Sequence, residues 1–223
     1  MCFFVLLFGP QLWAQANYLP EEDNVDIDQL MSAVIKKAKE NDRLKQEHIA
    51  FLKRTTIRDL DNPNRKEEVE EQWQGKGFKS KPPCLNPNEM LTANYDFSFN
   101  GYVEIKGKRH YEVKFQPKPN LPDKGGGCER AAMRFRGTLL IDIEYLYLVK
   151  MEAEMPRNEE FSLYVGMGKI YRVKKLEMIQ MMRPDLDNLV LVDRLIIQIE
   201  YRKLFSHKFE EHDFEYTNYV YIP

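Results

Sequence analysis

The feature that most constrains the fold is a long alternation of apolar and polar residues between positions 131 and 155. In its first half, apolar residues such as Leu139 and Ile141 occupy odd positions, and polar residues such as Thr138 occupy even ones. The second half repeats the pattern from Tyr145 through Val149 and Met151 to Met155. A period of two over this length predicts two strands, each with one apolar and one solvated face, folded against each other.

Similar alternation continues on both sides of this pair, and turn signals separate the runs. The clearest signals are the segment from Asp61 to Asn64, the Gly107-Lys108 pair and the segment from Pro184 to Asn188. The remaining strands are expected over 47–60, 66–74, 95–105, 111–115, 161–182, 189–201 and 207–219, with a bulge in the run 161–182 near Lys174 and Lys175.

A helix precedes the strands. Apolar residues recur at helical spacing up to Ala38, and either Asp26 or Asp28 can cap the N-terminus. The helix is expected to end near Asn41 and Asp42, and its apolar stripe must cover the sheet. The fold class is therefore α+β: about nine strands form a strongly curved antiparallel sheet, an unclosed β-barrel, with an N-terminal amphipathic helix covering its concave face.

The N-terminus has the features of an export signal. Residues Cys2 to Phe8 form an apolar run too short to span a bilayer as a helix, and Ala14-Gln15-Ala16 is a small-x-small cleavage site. We therefore predict a cleavable signal peptide over 1–16, a single domain over 17–223 and a periplasmic location. The alternative is a buried N-terminal strand.

Two cysteines remain after cleavage, Cys84 and Cys128. In an oxidising compartment they could pair, closing a loop of about 45 residues that would stabilise the fold by roughly 3–4 kcal/mol. The alternative is two free thiols. Neither cysteine belongs to a CxxC pair, which disfavours a redox or zinc site.

Composition and motifs argue against several kinds of chemistry. The net charge of −2 is unlike the basic surface of a nucleic-acid-binding protein. The glycines Gly125 to Gly127 are not followed by the Lys-Ser/Thr of a phosphate-binding loop. The histidines His48, His110, His207 and His212 lie on different strands or strand ends. No catalytic residue, metal site or cofactor is predicted, and the chain is not expected to be an enzyme.

The apolar faces of the sheet suggest a different role. A curved sheet that encloses an apolar cavity can hold an acyl chain, and methionines suit a lining that adapts to its ligand. The alternative is a filled core. The opposite strand phase would move the strand candidates to the outer face. The candidate lining residues are Leu30, Val34, Phe97, Phe99, Val113, Phe115, Phe135, Leu139, Ile141, Val149, Met151 and Val165.

A family resemblance rests on three segments: YEVKFQPKP from Tyr111, GTLLID from Gly137, and LVKME from Leu148. Together with the signal peptide, helix and strands, these segments resemble the LolA/LolB-like outer-membrane lipoprotein carrier superfamily, in particular its branch of exported bacterial proteins. The resemblance implies an unclosed barrel whose concave apolar face is lidded by helices and takes up lipid acyl chains. The carriers of the superfamily have more helical lid than this sequence predicts.

Two functions follow as hypotheses. The first is a periplasmic, non-enzymatic carrier or sensor, expected to be monomeric, that binds lipid or lipoprotein acyl chains between sheet and helix. The second is an envelope scaffold or regulatory protein that binds another protein through the sheet edge or the concave face. A large apolar cavity favours the carrier, whereas a filled core with a free edge favours the scaffold.

Overall fold

The computed structural model describes residues 25–77, 95–119, 134–156, 163–165, 168–203 and 206–223. These ranges contain one helix, α1 (Ile27–His48), one 3₁₀ turn (Pro184–Leu186) and ten strands. The strands are β1 (Ile49–Asp59), β2 (Glu68–Gly75), β3 (Tyr95–Ile105), β4 (Lys108–Pro117), β5 (Arg136–Asp142), β6 (Leu148–Glu154), β7 (Leu163–Val165), β8 (Gly168–Arg183), β9 (Leu189–Lys203) and β10 (Ser206–Tyr221).

The strands form one curved antiparallel sheet in the order β2-β1-β10-β9-β8-β6-β5-β4-β3, with β7 paired only to β8. Most neighbours are consecutive in the chain, but β1 pairs with β10 and so brings the first and last strands together. The described sheet does not close, because β2 and β3 lie at its two ends. The predicted α+β class and the unclosed, curved sheet are confirmed.

Helix α1 begins as predicted and ends later. The Asp26 carboxylate accepts a hydrogen bond from the Gln29 N–H at 3.0 Å, so Asp26 is the N-cap. The predicted end near Asn41 and Asp42 is wrong: the helix continues to His48. The apolar periodicity fades after Ala38, but Leu44 still packs against the sheet and therefore gives the last turns a buried contact.

The central hairpin of β5 and β6 is confirmed, with a correction to its second strand. The pairing passes from Leu140 opposite Lys150 to Ile141 opposite Leu148, so Val149 is an extra residue at a bulge. The bulge reverses the strand phase, and Leu148 rather than Val149 joins the buried face. The predicted start of this strand near position 145 is also wrong, because residues 143–147 form the turn.

The bulge predicted in the long strand β8 is confirmed by a shift of its register with β9 between Val173 and Lys175. Several other predictions fall outside the described residues. They are the signal peptide over 1–16, the cysteines Cys84 and Cys128, and the glycines Gly125 to Gly127.

The side chains buried between α1 and the sheet form two apolar clusters. The larger joins α1 to strands β3 to β6, β8 and β9. The smaller lies where the chain passes from α1 into β1, and it is built on Ile49, Phe51, Leu189 and Leu191. Within the described ranges, no helix is both long enough and apolar enough to cross a membrane.

Candidate functional site

Most of the predicted lining residues meet in the larger cluster beneath α1. The helix contributes Leu30 and Val34, and the strands contribute the rest. Alternation explains why they converge, since the odd-numbered positions of β4 and β5 point to the same face of the sheet. The predicted residues buried in this cluster are Leu30, Val34, Val113, Phe115, Phe135, Leu139, Ile141 and Met151.

Four predicted residues lie elsewhere or at the margin. Phe97 is half-buried and packs against the cluster. The half-buried ring of Phe99 makes edge contacts with two tyrosines of β3 and β4 and is not part of the described cluster. Val149 is half-buried and displaced by the bulge in β6. The side chain of Val165 lies outside the description.

The cluster also contains residues that the candidate set omitted. Met31 follows Leu30 on the helix stripe, and helical spacing was sufficient to find it. Leu148 was hidden by the bulge in β6. The residues from β8 lie beside register shifts of that strand. The shift near Lys174 and Lys175 was predicted, but the pairing with β9 was needed to show which side chains it turns to the buried face. The omitted residues are Met31, Tyr95, Leu148, Ala153, Met155, Val173, Leu176, Met178 and Leu195.

Two different kinds of contact hold α1 on the sheet. Its first half lies on the apolar cluster through three buried side chains, Leu30, Met31 and Val34. Its second half is tied to β9 by Asn41, whose Nδ2 donates to the Val190 carbonyl at 2.5 Å and whose Oδ1 accepts from the Val190 N–H at 2.7 Å. The first turns are therefore held by non-directional contacts, and the middle of the helix adds directional hydrogen bonds, which include one from Lys37 Nζ to the Tyr145 carbonyl.

The contact between the middle of α1 and the sheet is closely packed. A cavity of about 10 Å³ remains there, which is at the lower limit for one water molecule. Its lining includes Val34 and Asn41 from the helix and Leu148 and Val190 from the sheet. A ligand could enter at this point only if the helix moved.

The apolar layer extends beyond the helix onto β9 and β10. There its side chains pack against the larger cluster but remain half-buried, so α1 covers them only in part. We call this group the half-covered band. Burial raises the pKa of Tyr216 in the band to about 12, so its hydroxyl stays protonated at neutral pH. The band consists of Val192, Ile197, Ile199, Phe214 and Tyr216.

The face becomes polar beyond the band. Lys53 Nζ lies 4.6 Å from the centre of the Phe214 ring, and burial lowers the pKa of this lysine. His212 Nε2 lies 3.3 Å from a Glu210 carboxylate oxygen, and burial lowers the pKa of the imidazole despite that charge. An acyl chain lying along the band would thus have charged groups near one end.

The opposite face of the sheet carries a polar trough of about 670 Å³ that crosses β3, β4, β5, β6 and β8. Arg136 and Glu154 form an ion pair within it at 2.9 Å, and Lys175 of its lining pairs at 2.8 Å with Glu177, which lies outside the trough. The backbone of the apolar residues lies at its floor, since their side chains point to the other face. The trough is thus a wide depression lined by charges of both signs.

No reactive constellation converges at either face in the part of the chain that the structure describes. No group of three His, Cys, Asp or Glu side chains is arranged there to hold a metal ion. His48 stacks on Tyr221, with ring centres 5.2 Å apart. His110 is buried on β4, and His212 lies on β10.

The chain matches no protein-family model and no curated protein. It does match solved structures. One is a LolA superfamily protein from Nitrosomonas europaea, with 10% sequence identity, a TM-score of 0.43, and coverage of 86% of this chain and 94% of the other. Another is a domain from Vibrio parahaemolyticus described as an outer membrane lipoprotein-sorting protein, with 7% identity, a TM-score of 0.44, and coverage of 86% and 93%.

A third match is the MucA/MucB complex of Pseudomonas aeruginosa, with 8% identity, a TM-score of 0.29, and coverage of 86% of this chain and 99% of the other. The superfamily that the sequence resembles is thus among the matches, as a likeness of fold.

Proposed function

We propose that the protein is a non-enzymatic carrier or sensor that binds lipid or lipoprotein acyl chains between α1 and the sheet. The observation that supports this function is that the apolar surface of the sheet extends further than the helix that covers it. Apolar side chains line the sheet from β3 to β10, whereas α1 buries only three side chains on them. In this proposal the predicted signal peptide directs residues 17–223 to the periplasm, where the monomer meets its cargo.

The energetics of exchange favour a long acyl chain. Lifting the first half of α1 exposes Leu30, Met31 and Val34, which costs about 1.5–3 kcal/mol for each side chain. An acyl chain that takes their place gains about 0.8 kcal/mol for each buried CH₂. On these values roughly 6–11 methylenes offset the cost, so fatty acyl chains of common length bind and short ones do not.

The contacts of the helix suggest how it would open. Its first turns rest on apolar side chains, which an acyl chain can replace, while the hydrogen bond from Lys37 to the Tyr145 carbonyl and the Asn41 bonds to Val190 hold the middle of the helix in place. In the proposal the first half moves away from the sheet and the ligand occupies the space above the half-covered band. The flexible side chains of Met31, Met151 and Met178 adapt to the new contact.

Binding can be tested with a phospholipid that carries a fluorescent acyl chain, together with native mass spectrometry of protein purified without detergent. Ile199 of the half-covered band is changed to Gln, with Ile196→Gln as the matched control. Ile196 is half-buried on the same strand but lies on the opposite face, where it pairs with Asp213. Ile199→Gln should weaken binding about tenfold, because it places an unpaired amide against the acyl chain, and Ile196→Gln should not.

Two results would overturn the carrier function. One is a wild-type protein that carries no lipid and takes up no probe. The other is equal loss of binding in both isoleucine variants while both remain folded by circular dichroism, since that result would place the ligand away from this face.

A second candidate function is binding of a protein partner at the edge of the sheet. Two observations favour it. The contact beneath the middle of α1 is filled, with a cavity of only about 10 Å³, and strand β2 ends the described sheet with the first six of its eight residues exposed. A regular strand with an open edge can accept a further strand from another chain.

A further inference from the structure

We propose that the partner of edge strand β2 is an extended peptide segment in which Lys or Arg residues alternate with apolar ones. This inference rests on the second candidate function, edge binding, and is independent of acyl-chain binding. It is carried by the backbone of β2, by the side chains on its two faces and by the charge of those side chains.

The backbone of β2 is suited to strand addition. The strand pairs with β1 on one side from Glu68 to Gly75, in a register that no bulge interrupts. Within the described residues, no strand pairs with its other side. Edge strands are commonly protected by proline, by a bulge or by charged side chains. Strand β2 has no proline and no bulge, and its charged side chains are all glutamates, which repel an acidic strand and attract a basic one. Its outward N–H and C=O groups therefore form a regular template.

The side chains of β2 present two different faces to an added strand. Glu68, Glu70 and Gln72 lie on the face that carries α1, since they pair with β1 residues of that face. Val69, Glu71 and Trp73 lie on the opposite face. There Val69 has 51% and Trp73 38% of its surface exposed, although both are large and apolar. A matching strand needs cations opposite the glutamates and apolar side chains opposite Val69 and Trp73.

Two of the acidic side chains, Glu68 and Glu71, form ion pairs with exposed arginines. Arg65 Nη2 lies 3.2 Å from a Glu68 carboxylate oxygen, and Arg54 Nε lies 4.0 Å from one of Glu71. All four of these side chains are at least 46% exposed. Such exposed pairs are weak and are screened by salt, so these carboxylates can accept a further cation from a partner.

The same charges disfavour a second copy of this chain as the occupant. Pairing of two β2 strands would place the segment Glu67 to Glu71, which holds four glutamates, against an identical acidic segment. Like charges directly opposite each other in a sheet are destabilising. A basic partner strand gains attraction at the positions where a second β2 would be repelled.

Hydrogen–deuterium exchange of the full chain tests the inference. The protein is incubated with a synthetic peptide of sequence Lys-Val-Lys-Lys-Thr-Phe-Lys or with the same peptide in which glutamate replaces every lysine. The basic peptide should slow exchange at least tenfold across 68–75, and this protection should decline in 0.5 M NaCl. The double variant Glu70→Gln/Glu71→Gln should bind the basic peptide about tenfold more weakly. The variant Glu104→Gln on the other edge strand, β3, should bind it normally.

Each of the other outcomes counts against the inference in a distinct way. Equal protection by the acidic peptide would retain edge binding and overturn the basic partner. No protection by either peptide, or slow exchange of 68–75 in the free protein, would overturn both the inference and edge binding. A concentration-dependent dimer with protected 68–75 would assign the edge to a second copy. None of these outcomes affects the test of acyl-chain binding.

Discussion

The side chain of Asp213 is charged, yet only 3% of the residue is exposed, on the face of the sheet opposite α1. Its carboxylate accepts hydrogen bonds from Arg194 Nε at 2.8 Å, Arg194 Nη2 at 2.7 Å and Arg58 Nη1 at 3.1 Å. These bonds, those of Arg194 first, hold the pKa of Asp213 below its usual range. The group thus joins β1, β9 and β10 through one buried anion.

Asp213→Asn should lower the free energy of unfolding by about 2–3 kcal/mol at pH 7, because the guanidinium groups lose a buried anionic acceptor. The pKa is depressed in the folded state, so the contribution is present above the unfolded pKa of about 3.9 and is lost as pH falls through the folded value. Urea titrations at pH 7 and pH 3 check this, and the difference between wild type and variant should shrink at pH 3.

The exposed pair of Arg136 and Glu154, with side chains 54% and 57% exposed, provides a control for Asp213. Glu154→Gln should change stability by less than about 0.5 kcal/mol at either pH, because exposed ion pairs contribute little. An equal loss in Glu154→Gln and Asp213→Asn would contradict the importance of burial.

Position 137 requires glycine for a structural reason that the sequence does not reveal. A Cβ at this position would lie 1.9 Å from the Glu152 carbonyl oxygen on the neighbouring strand. Gly137→Ala should therefore force β5 and β6 apart and destabilise the protein by about 2–3 kcal/mol. At Gly107 a Cβ meets no atom within 4 Å, and φ is +77°. Gly107→Ala should cost only about 1 kcal/mol of left-handed strain. Thermal unfolding of both variants checks this order.

At the scale of single elements, helix α1 shows which structural features the sequence could predict and which it could not. The cap at Asp26 and the buried stripe of Leu30, Met31 and Val34 were readable from spacing. The last two turns were not, because their stabilising contacts are an exposed i, i+4 ion pair from Arg43 to Glu47 and the packing of Leu44 on a distant part of the chain. Local periodicity carries no signal for contacts of these kinds.

The polar attachment of α1 can be tested at Asn41. Asn41→Leu removes both hydrogen bonds to the Val190 backbone and should destabilise the protein by about 2 kcal/mol, since each bond contributes about 1 kcal/mol. Asn41→Asp keeps the acceptor for the Val190 N–H but loses the donor to its carbonyl. Chemical denaturation should place Asn41→Asp no higher than wild type. Wild-type stability in Asn41→Leu would contradict the attachment.

At the scale of the whole molecule, alternation predicted the strands and the pairing of chain neighbours such as β5 and β6, but not the pairing of β1 with β10. The odd positions of β4 and β5 could be assigned to one face because no bulge separates Val113 from Leu139 in the pairing. In β8 the bulge that reverses the phase was predicted near Lys174 and Lys175, whereas in β6 only the pairing with β5 shows the bulge at Val149. For this reason Leu139 lies on the predicted face of the sheet and Val149 does not.

The pairing of β1 with β10 is the one connection in the described sheet that joins the β1–β2 hairpin to the other strands. Deleting 206–223 should therefore remove more than one strand, because Phe51 loses its ring contacts with Tyr216 and Tyr219 and the hairpin no longer has a neighbour. An isolated two-stranded hairpin is marginally stable at best.

We expect this deletion to abolish the cooperative thermal transition measured by circular dichroism. The control deletion of 222–223 removes only the bond from the Ile222 N–H to the His48 carbonyl, at 2.6 Å, and the contact of Lys76 Nζ with Pro223. It should retain the transition and lower its midpoint by a few degrees, as expected for a loss of about 1 kcal/mol. A cooperative transition that survives loss of β10 would mean that β3 to β9 fold without the N-terminal hairpin.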